Sequence, residues 1–239
     1  MGRAFEVRKA AMMKTGAAKA KLYSKFGKEI YMAAKNGGTS LDANVELKRL
    51  VDRAKKNQVP GDVIQRNIDK AVSNDADNYT FYRYEGFGPG GSQVIVDCLS
   101  DNVNRTVTEV RNCFTKTGGK LGVNGSVIHA FDHLSIVQVT HVNEDDVLEA
   151  LLNEDIEVDD VETNNDTVTV YAAPGELHMI SQVIRESFSE ADITLEEQRY
   201  LAQNAIQLGD DDVPAFEKLL DMLEDCEDVQ EVYHNVQLG

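Results

Sequence analysis

The 239-residue chain has no tryptophan, only three cysteines and no apolar run long enough to cross a bilayer. The missing apolar run argues against a transmembrane helix. Charge at the N-terminus is not followed by an apolar segment, as a secretory signal requires. Position 6 is Glu6, where a myristoylation signal needs Ser or Thr. Cys98, Cys113 and Cys226 are odd in number and distant in sequence, with no CxxC pair. Buried, reduced thiols are therefore expected rather than disulfides or a zinc site, and a cytoplasmic location with them. No nucleophile–base triad, metal-ligand cluster or nucleotide fingerprint is visible, so no catalytic residues, no metal and no cofactor are expected, and the protein is not read as an enzyme.

Positive charge is also scarce, with 24 Lys and Arg against 41 Asp and Glu, a net charge of −17. The shortage is uneven. Residues 1–72 carry 16 basic and 7 acidic side chains, residues 73–134 carry 5 and 7, and residues 135–239 carry 3 and 27. A cationic head on an anionic body points to a polyanion partner at the head, and argues against a protein coated by nucleic acid over its whole surface.

The head reads as helical. Leu22, Phe26, Ile30 and Ala33 form one apolar stripe between Lys19 and Asn36, and Lys21, Lys25, Lys28 and Lys35 gather on the other side. Gly37-Gly38 ends that helix. Asp42 or Asn44 can cap a second, with Leu47, Leu50, Val51 and Ala54 inward and Arg49, Arg53 and Lys56 outward. Pro60 and Asp62 open a third, with Ile64, Ile68 and Ala71 as its stripe. Arg3, Arg8, Lys9 and Lys14 make a basic arm or short helix. With the apolar stripes packed together, the lysines are expected in solvent. The candidate phosphate-contacting set is Arg3, Arg8, Lys9, Lys14, Lys19, Lys21, Lys25, Lys28, Lys35, Arg49, Arg53 and Lys56. Head aromatics are few (Phe5, Tyr23, Phe26, Tyr31), so base stacking is not signalled.

Beyond a polar link near Ser73–Asn78, β-formers at 79–84 and 93–99 flank Glu85-Gly-Phe-Gly-Pro-Gly-Gly91, which predicts a hairpin turn. That run lacks the Lys-Ser/Thr of a phosphate loop, and a strand rather than a helix follows it. Asp101–Thr106 caps a helix to about Lys116, and 121–131 reads as a glycine-interrupted hairpin or strand. His129 and His133 stand four apart, but in strand and turn rather than on a metal-binding helix. The order β-α-β-β-α-β within 135–200 is that of a ferredoxin-like unit. A helix from Pro214 and a strand over 229–236 are left over, and they complete the middle domain if 135–207 is an insertion. The acidic runs around Asp210–Asp212 and Glu224–Asp228 do not match a calcium loop and read as a solvated face.

Several long motifs, Tyr84–Ser92, Ser100–Thr106, Gly118–Gly122 with Gly125–Val127, and Val232–Val236, are similar to those of the YebC/PmpR family. The opening Gly2-Arg-Ala-Phe5 departs from the Gly-His-Ser-Lys-Trp-like start of many members, and the acidic body resembles the YeeN-type branch. The resemblance implies an α+β protein. Its N-terminal three-helix bundle (1–78) precedes two ferredoxin-like α/β domains, one discontinuous (79–134 with 208–239) and the other acidic and inserted (135–207). It also implies a non-enzymatic regulator of gene expression, by family custom a DNA-binding transcriptional regulator. The alternative is a ribosome-associated translation factor, as the related mitochondrial translational activator of cytochrome c oxidase is. The expected partners are DNA or ribosomal RNA at the head and basic ribosomal proteins at the acidic domains. No membrane partner is expected, and the chain is taken as a monomer.

Overall fold

A computed structural model describes residues 16–73 and 78–237. The chain forms two units, Met1–Ile128 with Ala205–Gly239, and His129–Asn204.

Unit 1 opens with α1 (Gly16–Gly37), α2 (Val45–Lys56) and α3 (Gly61–Ala71). Their stripes meet in one core: Phe26 and Ile30 from α1, Leu47, Leu50, Val51 and Ala54 from α2, and Ile64 and Ile68 from α3. Ala34 is buried in place of the predicted Ala33, while Leu22, Ala33 and Ala71 pack on the core only partly buried. Such burial is worth about 1.5–3 kcal/mol for each large apolar side chain. Of the two candidate caps, Asn44 is the one used. Its side-chain oxygen accepts from Leu47 N at 3.0 Å, and its amide donates to the Ala33 and Gly38 carbonyls at 2.8 Å each. One side chain thus starts α2 and ties it to the end of α1.

β1 (Thr80–Phe87) and β2 (Gln93–Ser100) form the expected hairpin, closed by a 3-10 turn at Pro89–Gly91. Gly90 and Gly91 take φ of 62° and 74° there, a left-handed backbone that suits glycine. Asn102 caps α4 (Val103–Lys116) by accepting from Arg105 N. The next strand, β3, is only Lys120–Leu121, shorter than the predicted 121–131 element. The reason is Glu85. Its buried carboxylate accepts from the backbone N–H groups of Gly125, Val127 and Ile128 at 2.7, 2.7 and 2.9 Å, so the loop is satisfied by a side chain instead of a partner strand. Burial pushes the Glu85 carboxyl up, but the three N–H donors outweigh it and hold the group below its ordinary value.

Unit 2 contains β4 (Phe131–Thr140), α5 (Glu144–Asn153), β5 (Asp160–Asn164), β6 (Thr167–Ala172), α6 (Leu177–Ser187) and β7 (Asp192–Ala202). Its antiparallel sheet has the order β5-β6-β4-β7, the ferredoxin-like arrangement. β4 is longer than the 136–139 core suggests, because its ladder with β7 runs from Phe131↔Ala202 to Thr140↔Asp192. Val147 and Leu151 of α5 and Leu177, Ile180, Val183 and Ile184 of α6 pack on Val137, Val139, Val168 and Val170.

The chain then re-enters unit 1 as α7 (Val213–Asp225) and β8 (Val229–His234). β8 pairs antiparallel with β2, giving the order β3-β1-β2-β8. α4 and α7 bury Val110, Cys113, Phe114, Phe216, Leu219, Leu220 and Leu223 against Val94, Val96 and Cys98. Cys113 and Cys226, 113 positions apart in the chain, bring their Sγ atoms to 3.6 Å as free thiols. No helix among the described residues is long and apolar enough to cross a membrane.

Candidate nucleic-acid interface

The lysine side of α1 meets the returning tail rather than open solvent. Lys28 Nζ donates to Asp228 Oδ1 at 2.9 Å, the Glu227 carbonyl at 3.2 Å and the Leu99 carbonyl at 3.4 Å. Its three ammonium donors each have an acceptor, and the side chains of Lys28 and Asp228 are only 8% and 1% exposed. Asp228 Oδ2 also accepts from Arg105 Nη2 at 2.8 Å, Ser100 Oγ at 2.9 Å and Thr106 Oγ1 at 2.8 Å. Burial would raise this carboxyl, but the donors, led by Lys28, prevail and bring it down to about 2. The expectation that Lys28 lies in solvent is therefore corrected: it is the buried half of an ion pair joining the helices to the sheet.

Its neighbours are turned the same way. Lys25 Nζ donates to the Gln230 carbonyl at 3.2 Å, and Lys21 lies 3.5 Å from Asp225. Arg53 is held by Glu29 at 3.3 Å, with Glu231 at 4.0 Å. Burial raises the Glu29 carboxyl, and the Arg53 charge opposes that rise. Arg49 pairs with Glu46 along α2 at 2.7 Å. The anionic tail is thus not held away from the head: Asp225, Asp228 and Glu231 lie against it.

Lys19, Lys35 and Lys56 are exposed, Lys35 donating to Asn78 Oδ1 at 3.2 Å. Four cations absent from the sequence-derived set share this exposure: Lys48, Lys55, Arg66 and Lys70. A signal for two of them exists in the sequence, since Arg66 and Lys70 stand four apart, opposite the Ile64–Ile68 stripe of α3. Arg3, Arg8, Lys9 and Lys14 lie outside the described residues. On the sheet domain, Arg105 is engaged by Asp228 and Asp101, while Arg111, Lys116 and Lys120 are exposed.

Between α1 and α3 lies a cleft of about 360 Å³. Tyr23, Ser24, Gly27 and Tyr31 of α1 face Arg66, Asn67 and Lys70 of α3 across it, and Tyr79, from the chain just before β1, completes the wall. Tyr31 and Tyr79 meet edge to face, centroids 5.7 Å apart and planes at 84°, and Lys28 Nζ sits 5.4 Å from the Tyr79 centroid. A Cβ on Gly27 would come within 2.9 Å of Asn67 Nδ2, so the bare backbone there lets the helices approach at the floor of the cleft.

Other constellations resolve structurally. His129 falls in a 3-10 turn, whereas His133 on β4 stacks on Tyr200 at 4.3 Å. Among the described residues no three His, Cys, Asp or Glu side chains are grouped to hold a metal.

Residues 3–74 match the family described as the TACO1/YebC protein N-terminal domain, and residues 79–236 match the TACO1/YebC second and third domain. A protein of Alteromonas mediterranea named as a probable transcriptional regulatory protein is 52% identical over 235 residues, covering 98% of each chain. One of Vibrio parahaemolyticus with the same name is 49% identical over 238 residues and all of both chains. The crystal structure of a conserved hypothetical protein from Aquifex aeolicus superposes with a TM-score of 0.78 at 30% identity, covering 94% of this chain and 92% of that one.

Proposed function

The chain belongs to the TACO1/YebC family, and on that footing we propose that it regulates gene expression by gripping nucleic-acid phosphates with the solvent side of α2 and α3. The observation that carries this reading is the division of the head's charge. Carboxylates and carbonyls of the chain itself cover the Lys21–Lys25–Lys28 side, while Lys48, Lys55 (3.8 Å from Asp52 on the same helix), Lys56, Arg66 and Lys70 lie at exposed positions. Cations displayed in this way favour phosphate contact, which sets affinity and salt dependence and carries little sequence information. Unit 2, with 18 acidic and 2 basic side chains, is unsuited to lie on phosphates. The relatives are named as probable transcriptional regulatory proteins, which favours transcription as the setting.

Fluorescence anisotropy with duplex DNA and duplex RNA between 50 and 200 mM salt tests the reading. Replacing Lys48, Lys55 and Lys56 by Ala should weaken binding alike across sequences. It should also reduce the salt slope by roughly one unit for each phosphate left without its cation. Unchanged affinity and slope would reject the reading. Binding confined to RNA, with DNase-resistant co-sedimentation with ribosomes, would shift the setting to translation.

A further inference from the structure

The head's exposed lysines do not account for the cleft between α1 and α3. Phosphate contact alone needs no cavity and no aromatic wall. This cleft has both, and its volume of about 360 Å³ lies in the range of small-ligand sites. Three tyrosines line it: Tyr31 is buried, so the half-buried Tyr23 and Tyr79 are the rings a ligand can meet, and Tyr79 is delivered from outside the helices. Arg66 is exposed at its edge and has no carboxylate partner among the described residues. Lys70 lies one turn further along α3 on the same side. Asn67 donates its amide to the Val63 carbonyl at 2.8 Å, which leaves Oδ1 as an acceptor beside Gly27. Aromatic faces, a side-chain acceptor and a guanidinium at the rim match the three parts of a nucleotide: the base plane, the base edge and the phosphate. A base stacked within a duplex cannot enter such a cleft, but an unstacked one can.

We propose that the cleft between α1 and α3 binds one unstacked nucleotide of a single-stranded nucleic acid, its base against the tyrosine wall and its phosphate on Arg66 and Lys70. This rests on the reading that the helical head meets nucleic acid, and it adds what that reading lacks, a preference for single-stranded or bulged segments. Lys28 takes no part in phosphate binding, because its ammonium is saturated by Asp228 and two carbonyls. It shapes the wall through its stem and its position over Tyr79.

The test uses the full chain, a labelled 12-nucleotide single strand, a duplex of the same sequence, and adenosine monophosphate as the free-nucleotide probe. The variants are Arg66→Ala, Tyr79→Leu, which keeps apolar bulk while removing the ring, and Lys48→Ala with Lys55→Ala as a control outside the cleft. Thermal unfolding checks that each is folded. Arg66→Ala and Tyr79→Leu should each weaken single-strand binding at least about fivefold, the lower bound for one stacked base. Duplex binding should change less than twofold for Tyr79→Leu. Arg66→Ala, which also removes an exposed cation, should weaken duplex binding but by less than it weakens the single strand, and the lysine control should weaken both alike. Equal losses on single strand and duplex for Tyr79→Leu would overturn the cleft proposal while leaving phosphate binding intact. Adenosine monophosphate binding as tightly as the strand would also overturn it, by making a free nucleotide the ligand. Absence of binding to any nucleic acid at low salt would remove the underlying reading as well.

Discussion

The two units of this protein solve the same architectural problem with opposite treatments of charge. Each has a four-stranded antiparallel sheet with a pair of helices packed on it. Unit 2 closes its core with apolar side chains, and none of its charged residues is buried. Among the described residues the buried charges, Lys28, Glu85, Asp97 and Asp228, all lie in unit 1. Unit 1 also holds 22 basic against 23 acidic side chains, close to balance, whereas unit 2 holds 2 against 18. Balance inside unit 1 has a structural use. A three-helix head and a sheet with few apolar groups to share can still be joined by hydrogen-bonded ion pairs, provided every donor is met. Unit 2 pairs Arg185 with Glu196 and Arg199 with Glu197 at partly exposed positions, and most of its carboxylates are exposed.

The sharpest way to break this contrast is to remove Asp228. Asp228→Ala leaves Lys28 buried without its carboxylate, and a broken buried pair costs about 3–5 kcal/mol. Denaturant unfolding followed by amide exchange should show that loss in unit 1 and little change within residues 129–204. If Lys28→Met with Asp228→Leu restores most of the stability, the pair serves to place the head rather than to strengthen it. An equal loss in both units would end the contrast.

Acid offers a second, somewhat smaller effect. The folded Asp228 carboxyl is held at about 2, below its unfolded range, so the unfolded chain binds the extra proton. The resulting stability is fully present above about pH 4 and is lost as pH falls toward 2, amounting to about 2–3 kcal/mol. Unit 1 amides should lose protection over that window, and Asp228→Asn should erase this part of the dependence. A wild-type profile flat from pH 4 to 2 would contradict the assignment.

Salt should give the smallest effect and the opposite ranking. The surface of unit 2 is strongly one-signed, and screening relieves repulsion between exposed charges. Raising salt from 50 to 500 mM should therefore raise protection more in residues 129–204 than in unit 1. Larger gains in unit 1 would mean that its paired charges, not the acidic surface of unit 2, dominate the response.

Local chemistry makes much of the fold legible. The stripes of α1, α2 and α3, the asparagine caps and the glycine turn between β1 and β2 are decided by neighbours within a few residues. The ferredoxin-like order of unit 2 follows from element order, and the return of α7 and β8 follows from an incomplete middle domain. The loop after β3 reads wrongly from sequence because its partner is not a strand but Glu85, some 40 positions earlier. The site is less legible. Lys21, Lys28 and Lys35 occupy equivalent places on one helix side, and periodicity ranks them alike. Arg66 and Lys70 carry the same helical signal but stand outside the densest cluster of lysines.

The amino-acid order alone determined which residues form helices and strands, which side of each is apolar, and that cationic charge gathers at one end, because these depend on spacing along the chain. Only the tertiary structure decided which of those cations stay in water. That choice depends on what lies across from them, and Asp228 reaches Lys28 from 200 positions away. The same holds for the cleft, whose wall is completed by Tyr79 from beyond the helices, and for Cys113 and Cys226. In each case the deciding contact joins segments that no sequence window contains.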